Sequence, residues 1–293
     1  TCTEVVSVEG EPGSYRLGLV AKPRFIDAEK CNGCGDCILI CPVEVYNRFD
    51  AGIGVRKAIY KPHAQAVPDL VIKDADHCIE CGLCYDVCGP DAIRKEEGER
   101  RFDIEVAAIV LATGYSSFDA RRKGNLGYLT VPDVITSLEL ERLVNASGPT
   151  GGKLLRLSTG EVPGSLVFVQ CVGSRDASLG RDYCSYACCM YATKEAIIAK
   201  EHEKEIQPTI FFIDIRAYGK GFDTYYERAK KEYGVRYVRC AISRVVEDPK
   251  TKTLWITYID DAGEIKEEEF DLVVLSVGMV PAASTKELAK NLG

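Results

Sequence analysis

Two runs of cysteine carry the clearest chemistry in this sequence. Residues 31–42 have the spacing C-x2-C-x2-C-x3-C-P, which is typical of bacterial four-iron four-sulfur ligation, and residues 78–88 repeat the cysteine spacing. In such a run three thiolates bind one cluster and the fourth reaches the neighbouring cluster. The spacing therefore predicts one cluster on Cys31, Cys34, Cys37 and Cys88, and a second on Cys78, Cys81, Cys84 and Cys41.

Structural zinc is the alternative for these runs, because C-x2-C pairs also ligate zinc. Eight cysteines in two four-membered runs favour iron–sulfur clusters instead. One departure is that the second run continues Gly89-Pro90, so its proline is displaced by one position and Cys88 is the less secure ligand. Three glycines are expected to let the backbone approach the clusters closely: Gly33, Gly35 and Gly82.

A third group of cysteines follows a predicted strand at 165–170; it comprises Cys171, Cys184, Cys188 and Cys189. A dinucleotide-binding fold carries its glycine-rich phosphate loop at this point, but no G-x-G-x-x-G is present. The spacing leaves two interpretations open. The four thiolates could hold a third cluster, or Cys184 with Cys188, or the vicinal pair Cys188 and Cys189, could form a redox dithiol.

The composition limits the remaining function classes. Of fourteen cysteines only Cys2 and Cys240 lie outside these groups, and we expect both to be structural thiols. Clustered cysteines suit metal ligation in a reducing compartment, so the cytoplasm is the expected location. A net charge of −7 without a long basic run argues against nucleic-acid or anionic-membrane binding. The apolar stretches are too short for a membrane span, and no signal peptide is visible.

The hydrophobic pattern predicts the elements that position these residues. Residues 4–8 and 15–20 form a hairpin, and a strongly apolar strand, 102–112, follows the cysteine-rich stretch. Apolar residues 106–112 and 272–280 read as buried strands. A helix is expected at 134–144, and a βαβ unit at 165–170, 193–203 and 209–215. The predicted elements that complete the chain are a helix at 223–232 and strands at 235–238, 242–246, 253–258 and 271–277.

Four segments closely resemble the heterodisulfide reductase A-subunit family: residues 171–176, 183–196, 214–221 and 275–281. The resemblance spans nearly the whole chain. It implies an α/β fold that is part of a thioredoxin-reductase-like flavoprotein with two dinucleotide-binding domains, into which a bacterial two-cluster ferredoxin α+β module is inserted. It also implies that the third cysteine group holds a further four-iron four-sulfur cluster, which makes three clusters in all.

The resemblance divides the chain into five segments. These are a partial flavin-domain hairpin (1–21), the inserted ferredoxin domain (22–100), a return to the flavin domain (101–150), a domain like an NAD-binding domain with the third cluster (151–275), and a second return (276–293). The glycine motif for FAD is missing, so we expect a fragment that lacks the N-terminal part of the flavin site, or a site completed by another chain.

The resemblance further implies FAD binding and indicates its contacts. The candidate flavin-binding residues are Ala112, Thr113, Gly114, Tyr115, Gly278, Met279, Val280 and Pro281. Lys194 and Glu141 are the candidate charged groups near the isoalloxazine, because a lysine there would stabilise reduced anionic flavin electrostatically.

The expected function is electron relay and bifurcation between a donor enzyme, ferredoxin and the disulfide of coenzymes M and B. The expected partners are other heterodisulfide reductase-type subunits, a hydrogenase or formate dehydrogenase, and ferredoxin, in a hetero-oligomer. Two alternatives stay open. The chain could relay electrons in a quinone-linked or aromatic-ring-reducing complex, or it could be a thiol–disulfide oxidoreductase that uses Cys184 and Cys188.

Overall fold

The computed structural model describes residues 2–292 and divides into two compact units. The first unit comprises the chain up to Gly114 and from Pro281 onward, and the second is Tyr115–Val280. The five-segment division expected from the resemblance remains a prediction.

The first unit opens with the predicted hairpin. Its strands and helices, in chain order, are β1 (Thr3–Glu11), β2 (Ser14–Ala21), α1 (Asp36–Ile40), β3 (Glu44–Tyr46), β4 (Val55–Lys57), β5 (Ile59–Tyr60), β6 (Ile72–Lys73), α2 (Leu83–Asp86) and β7 (Arg100–Val106). β1 and β2 are antiparallel, and the turn between them places Gly13 at a φ of 101°. β7 pairs antiparallel with β2, so the chain leaves this sheet after β2 and returns beside the same strand.

The cysteine-rich segment between β2 and β7 is built from short elements. β3 pairs with β4, β5 pairs with β6, and α1 packs against α2. Ile26 and Ile93 form an antiparallel bridge that joins the two ends of the segment. Both belong to a small core with Ile59 and Val71, against which cysteines from both runs pack. The core therefore brings the two cysteine runs together.

The predicted strand at 102–112 is too long, and the expectation that 106–112 is buried is wrong. β7 ends at Val106, opposite Tyr15 on β2, and residues 107–114 are irregular. Val110 is 90% exposed and Leu111 is 59% exposed. Within residues 2–292 no strand pairs with 107–114, and a strand forms only where its backbone groups find partners. An apolar run alone does not supply them.

The second unit is organised around a seven-stranded sheet. The strands and helices of residues 115–281 are β8 (Tyr115–Ser117), β9 (Val134–Thr136), α3 (Ser137–Leu143), β10 (Ser165–Val172), α4 (Cys188–His202), β11 (Gln207–Phe212), α5 (Phe222–Lys231), β12 (Arg236–Glu247), β13 (Leu254–Asp260), β14 (Ile265–Phe270), β15 (Leu272–Val277) and β16 (Met279–Pro281). The strand order is β14-β13-β12-β11-β10-β15-β9. The strands from β12 to β9 are parallel, and β13 and β14 are antiparallel additions at one edge.

The chain then returns to the first unit, where α6 (Thr285–Leu292) packs on β1.

The parallel centre of the sheet agrees with the predicted βαβ unit. β10 and β11 are parallel neighbours joined through α4, with Val167 opposite Thr209. Every residue of β15 is buried, as its continuous apolar sequence indicates. The strands predicted at 235–238 and 242–246 are one strand, β12, with an irregularity between Ile242 and Arg244 opposite β13.

The helix predicted at 134–144 begins three residues later than expected. Val134–Thr136 is a buried edge strand, β9, which pairs in parallel with β15. The helix then starts at a capping box: the Glu139 N–H donates to Thr136 Oγ1 at 3.4 Å, and the Thr136 N–H donates to Glu139 Oε2 at 2.5 Å. Strand pairing therefore overrides the helical spacing.

In the described residues, no helix has the length and apolarity needed to cross a membrane.

Candidate metal centres

The first predicted quartet lines a single cavity of the first unit. Cys31, Cys34, Cys37 and Cys88 all border it, and its space, including the part open to solvent, is about 340 Å³. The rest of its wall is mainly apolar and includes Ile26, Val71, Ala92 and Ile93. Cys88 belongs to the second run, so this cavity is bordered by three cysteines of the first run and one of the second. The displaced proline does not prevent this, because Pro90 itself lies in the same wall.

The second predicted quartet lines its own cavity. Cys41, Cys78, Cys81 and Cys84 border a space that, including the part open to solvent, is about 400 Å³. Ala58 and Ile59 form part of the wall, and Lys73 and Tyr85 form another part. Each cavity is therefore bordered by three cysteines of one run and the last cysteine of the other. Thiolates in sets of four around an apolar cavity fit the donor set of a four-iron cluster.

Local backbone geometry explains why the runs fold around these cavities. Gly35 and Gly82 lie at φ values of 89° and 85°, and each precedes a short helix, α1 or α2, that carries the third cysteine of its run. Gly33 lies at a φ of 70°, and a Cβ there would be 2.7 Å from the Asp69 carbonyl oxygen. Only glycine satisfies both conditions at residue 33. Positive φ values therefore favour glycine at all three positions, and close approach of the backbone to a cluster stays a prediction.

Backbone N–H groups point at several of the sulfurs. The Ala92 N–H donates to Cys88 Sγ at 3.3 Å, and the Glu80 N–H donates to Cys78 Sγ at 3.4 Å. Hydrogen bonds of this type stabilise negative charge on sulfur and are one determinant of cluster potential. Cys88, the ligand expected to be less secure, is therefore held by a donor of its own.

One thiol of each cavity is held against ionisation. Burial raises the pKa of Cys37 to about 11, with further increases from Cys34 and Cys31 and a smaller one from Cys84. Burial also raises the pKa of Cys84, and nearby Cys78 adds to this while Lys73 opposes it. Metal ligation requires deprotonated thiols, so these groups need bound cations to become thiolates at neutral pH.

Lys73 is a charged residue that the sequence analysis missed. Its side chain lies in the wall of the second cavity and only 5% of the residue is exposed. Nζ donates to Tyr85 Oη at 3.1 Å and lies 5.3 Å from the centre of the Phe25 ring. Burial works to lower its pKa, but the Tyr85 hydrogen bond and the charges of Cys78 and Cys84 outweigh burial, and the pKa is raised. Lys73 is therefore a buried cation.

The third group of cysteines also converges, around the start of α4 in the second unit. Burial raises the pKa of Cys171 to about 12, and the charges of Cys188, Cys189 and Cys184 add to the increase. Burial raises the pKa of Cys188 to about 11, with contributions from Cys189 and Cys184. Each of the four sulfurs thus lies within electrostatic range of the others.

Three structural features position this third group. Cys171 lies near the end of β10 at a φ of 61°, where the pairing with β15 is interrupted. Cys188 and Cys189 begin α4, and their thiols point at the carbonyl oxygens of Val277 and Asp214, each at 3.8 Å. Cys184 lies in the preceding loop and accepts from the Tyr186 N–H at 3.4 Å. A strand end, a loop and a helix start thus carry the four cysteines of this group.

Sites for a single metal ion are absent from the part of the chain that the structure describes. Among residues 2–292, no three side chains of His, Cys, Asp or Glu come together closely enough to hold one metal ion. The two cysteine quartets of the first unit border cavities instead.

Known proteins match both the cysteine-rich segment of the first unit and the chain as a whole. Residues 30–93 match the family model of the 4Fe-4S dicluster domain. The whole chain is 48% identical to the iron–sulfur A subunit of the CoB–CoM heterodisulfide reductase of Methanocaldococcus jannaschii and covers 45% of that protein. It is 44% identical to the A subunit of the H2:CoB–CoM heterodisulfide,ferredoxin reductase of Methanothermobacter marburgensis and covers 44% of it. The chain belongs to the heterodisulfide reductase A-subunit family.

This member of the heterodisulfide reductase A-subunit family spans less than half the length of those two relatives. Two solved structures show a weak likeness to this chain. Lysine monooxygenase NbtG from Nocardia farcinica matches 50% of this chain and 36% of its own at 11% identity and a TM-score of 0.31. LpdA from Mycobacterium tuberculosis matches 65% of this chain and 33% of its own at 16% identity and a TM-score of 0.30.

The candidate flavin contacts of this heterodisulfide reductase-type chain lie on or beside two paired strands, β8 and β16, and in the irregular segment before β8. Ala112, Thr113 and Gly114 are exposed residues of the irregular segment after β7 in the first unit, and Tyr115 begins β8 in the second. Gly278, which precedes β16 (Met279–Pro281), is closely packed. A Cβ at Gly278 would lie 2.4 Å from Ser174 Oγ and 3.0 Å from Ser185 Oγ. Gly278 therefore also allows β15 to approach the loop that carries Cys184.

The two candidate charged residues near the flavin contact one another. Lys194 Nζ forms an ion pair with Glu141, and both side chains are partly exposed. The next residue on α4, Glu195, is 2% exposed, and its Oε2 has no hydrogen-bond partner. Burial, with a contribution from Glu141, holds the pKa of Glu195 well above its usual range, which favours the protonated form of its carboxyl. Sequence reasoning missed Glu195, for which no motif gave a signal.

Proposed function

We propose that this chain is an electron-relay subunit of heterodisulfide reductase type, in which three cysteine quartets hold three four-iron four-sulfur clusters. The observation that carries the proposal is the crossover in the first unit: Cys88 borders the cavity of the first run, and Cys41 borders that of the second. A pair of structural zinc sites does not require this exchange, whereas the bacterial two-cluster arrangement does.

The protein's own groups determine how such clusters would work. Four-iron clusters carry electrons one at a time. The Cys37 and Cys84 thiolates, one from each quartet, are close enough to affect each other electrostatically. Transfer between the two quartets of the first unit would therefore be short. Apolar side chains line much of each wall, and the N–H donors at Cys78 and Cys88 stabilise the ligand charge.

Flavin binding is the second part of the proposal. FAD would supply two-electron chemistry beside the one-electron clusters. The residues assigned to it are Ala112, Thr113, Gly114, Tyr115, Gly278, Met279, Val280 and Pro281. Lys194 and Glu141 would act near the isoalloxazine as a pair, because Glu141 neutralises Lys194 when the two are in contact. A lysine released from that pair would stabilise negative charge on reduced flavin.

The proposed partners are suggested by the names of related proteins. Two relatives are named as H2-dependent and as H2- or formate-dependent CoB–CoM heterodisulfide,ferredoxin reductase subunits. We assign this chain, accordingly, to a cytoplasmic hetero-oligomer with other heterodisulfide reductase-type subunits and a hydrogenase or formate dehydrogenase. Electrons would divide between ferredoxin and the disulfide of coenzymes M and B. In a quinone-linked or aromatic-ring-reducing complex, different partners would co-purify.

Iron and acid-labile sulfide analysis of anaerobically purified protein tests the cluster assignment. Three clusters correspond to about twelve iron atoms per chain, and two to about eight. A zinc content of two with little iron would overturn the proposal for the first unit. Cys2→Ser provides a matched control, since Cys2 lies outside all three quartets and its Sγ only accepts from Arg24 at 3.7 Å. That variant should retain the full iron content.

A further inference from the structure

The two cavities of the first unit differ in their fixed charge. Lys73 lies in the wall of the second cavity, close to Cys78 and Cys84. The wall of the first cavity contains no lysine or arginine, and its charged residue is the exposed Asp36. The other charged residue of the second wall, Glu80, is exposed to solvent. The difference between the two sites is therefore mainly one buried positive charge.

The charge of Lys73 is not neutralised by a neighbouring acid. Among the ion pairs of residues 2–292, none involves Lys73, whose ammonium instead contacts the Tyr85 hydroxyl and the faces of two rings, Phe25 and Tyr85. The adjacent carboxylate, Asp74, is occupied by Arg56 at 2.5 Å and His77 at 3.0 Å. The buried ammonium can therefore act on the cysteine quartet at close range.

A buried charge acts more strongly than an exposed one, because water and salt screen it less. Reduction adds one negative charge to a cluster, and nearby positive charge favours it. On the basis of the proposed function, we propose that Lys73 raises the reduction potential of the cluster on Cys41, Cys78, Cys81 and Cys84 above that of its neighbour. When one electron enters this pair of clusters, the cluster beside Lys73 is therefore the one that is reduced.

Replacement of Lys73 by methionine tests the proposal, because it removes the charge and keeps an unbranched side chain. The midpoint potentials of the two neighbouring clusters are measured by anaerobic redox titration with electron paramagnetic resonance, which identifies them by their magnetic interaction when both are reduced. We expect the higher potential to fall by about 59 mV or more, which is a tenfold change in the one-electron equilibrium. The lower potential should change less. The difference between the two midpoint potentials, here called the gap, therefore narrows.

Three comparison variants make the result specific. Lys73→Arg keeps the positive charge and should leave the gap nearly unchanged. Lys95→Met is the matched control, because Lys95 is exposed and its Nζ lies 5.7 Å from the centre of the same Tyr85 ring. Lys95→Met should change the one-electron reduction equilibrium of the cluster of higher potential less than twofold. Lys73→Gln, which can still hydrogen-bond to Tyr85, repeats the test if the methionine variant does not fold.

The outcomes separate this inference from the proposed function. Wild-type protein without iron would overturn the cluster assignment itself. Full iron content with unchanged potentials in Lys73→Met and Lys73→Gln would overturn the role of Lys73 alone. A fall confined to the lower potential, which widens the gap, would show that Lys73 acts on the cluster of lower potential and would overturn the proposed order.

Discussion

Cys41 and Cys84 belong to different cysteine runs and border the same cavity. Cys37, which is only four residues from Cys41, borders the other. Neighbours in sequence thus serve different sites, while residues far apart in sequence serve one. This relationship allows the ligand assignment to be tested by comparison of single substitutions.

Substitutions at Cys41 and Cys84 should damage the same cluster. We expect Cys41→Ala and Cys84→Ala to alter one electron paramagnetic resonance signal, and Cys37→Ala and Cys88→Ala to alter the other. The reason is that each cluster draws three ligands from one run and the fourth from the other run. If Cys41→Ala instead matched Cys37→Ala, each run would hold its own metal and the crossover would be wrong.

Gly278→Ala should reduce the iron content of the third quartet. A Cβ at this position would meet Ser174 Oγ at 2.4 Å and the Gly173 carbonyl oxygen at 3.0 Å, so the loop that carries Cys184 must shift. We expect a loss of up to about four iron atoms per chain, with the signals of the other two clusters intact. Gly124→Ala is the matched control in the same unit, because nothing lies within 4 Å of a Cβ there. An unchanged iron content in Gly278→Ala would contradict a role of Gly278 at the third quartet and would leave only its proposed contact with flavin.

Thiol labelling before and after removal of iron should distinguish bound from free cysteines. In anaerobic holo-protein we expect Cys34 and Cys81 to resist alkylation although both are exposed, because thiolates bound to iron are not available as nucleophiles. Cys2, which is partly exposed, should react in both states. After chelation Cys34 and Cys81 should react rapidly, and buried Cys188 slowly, since burial raises its pKa. Rapid labelling of Cys188 in holo-protein would favour the dithiol alternative.

Arg156→Met should strongly destabilise the second unit. Arg156 Nη2 donates to Asp133 Oδ2 at 2.9 Å, and the Asp133 side chain is fully buried, with only Ser158 as a further hydrogen-bond partner. Removal of the arginine leaves a buried, uncompensated carboxylate, which typically costs about 3–5 kcal/mol. Anaerobic urea denaturation should show this as a lower midpoint. Glu232→Ala, which removes an exposed i,i+4 pair with Arg228, should leave the midpoint nearly unchanged.

Several features were predictable because they depend on local sequence. The cysteine spacing predicts which thiols share a cavity, and the apolar alternation predicts the β1–β2 hairpin and the parallel pair β10 and β11. Residues 106–112 and 134–136 were wrongly predicted for the same reason: strand formation depends on a partner, which the local pattern does not specify. β9 finds one in β15, whereas 107–114 finds none within the described residues.

The sequence by itself predicted the ligand sets and the glycines that shape their loops, and it determined the family to which the chain belongs. Only the tertiary structure decided which other groups face the ligands. Lys73 has no motif, and its role as a buried cation arises because β6 places it beside Cys78 and Cys84 without an acidic partner. The physical reason is that spacing governs contacts within a few residues, whereas the electrostatic field at a site sums charges brought there from distant parts of the chain.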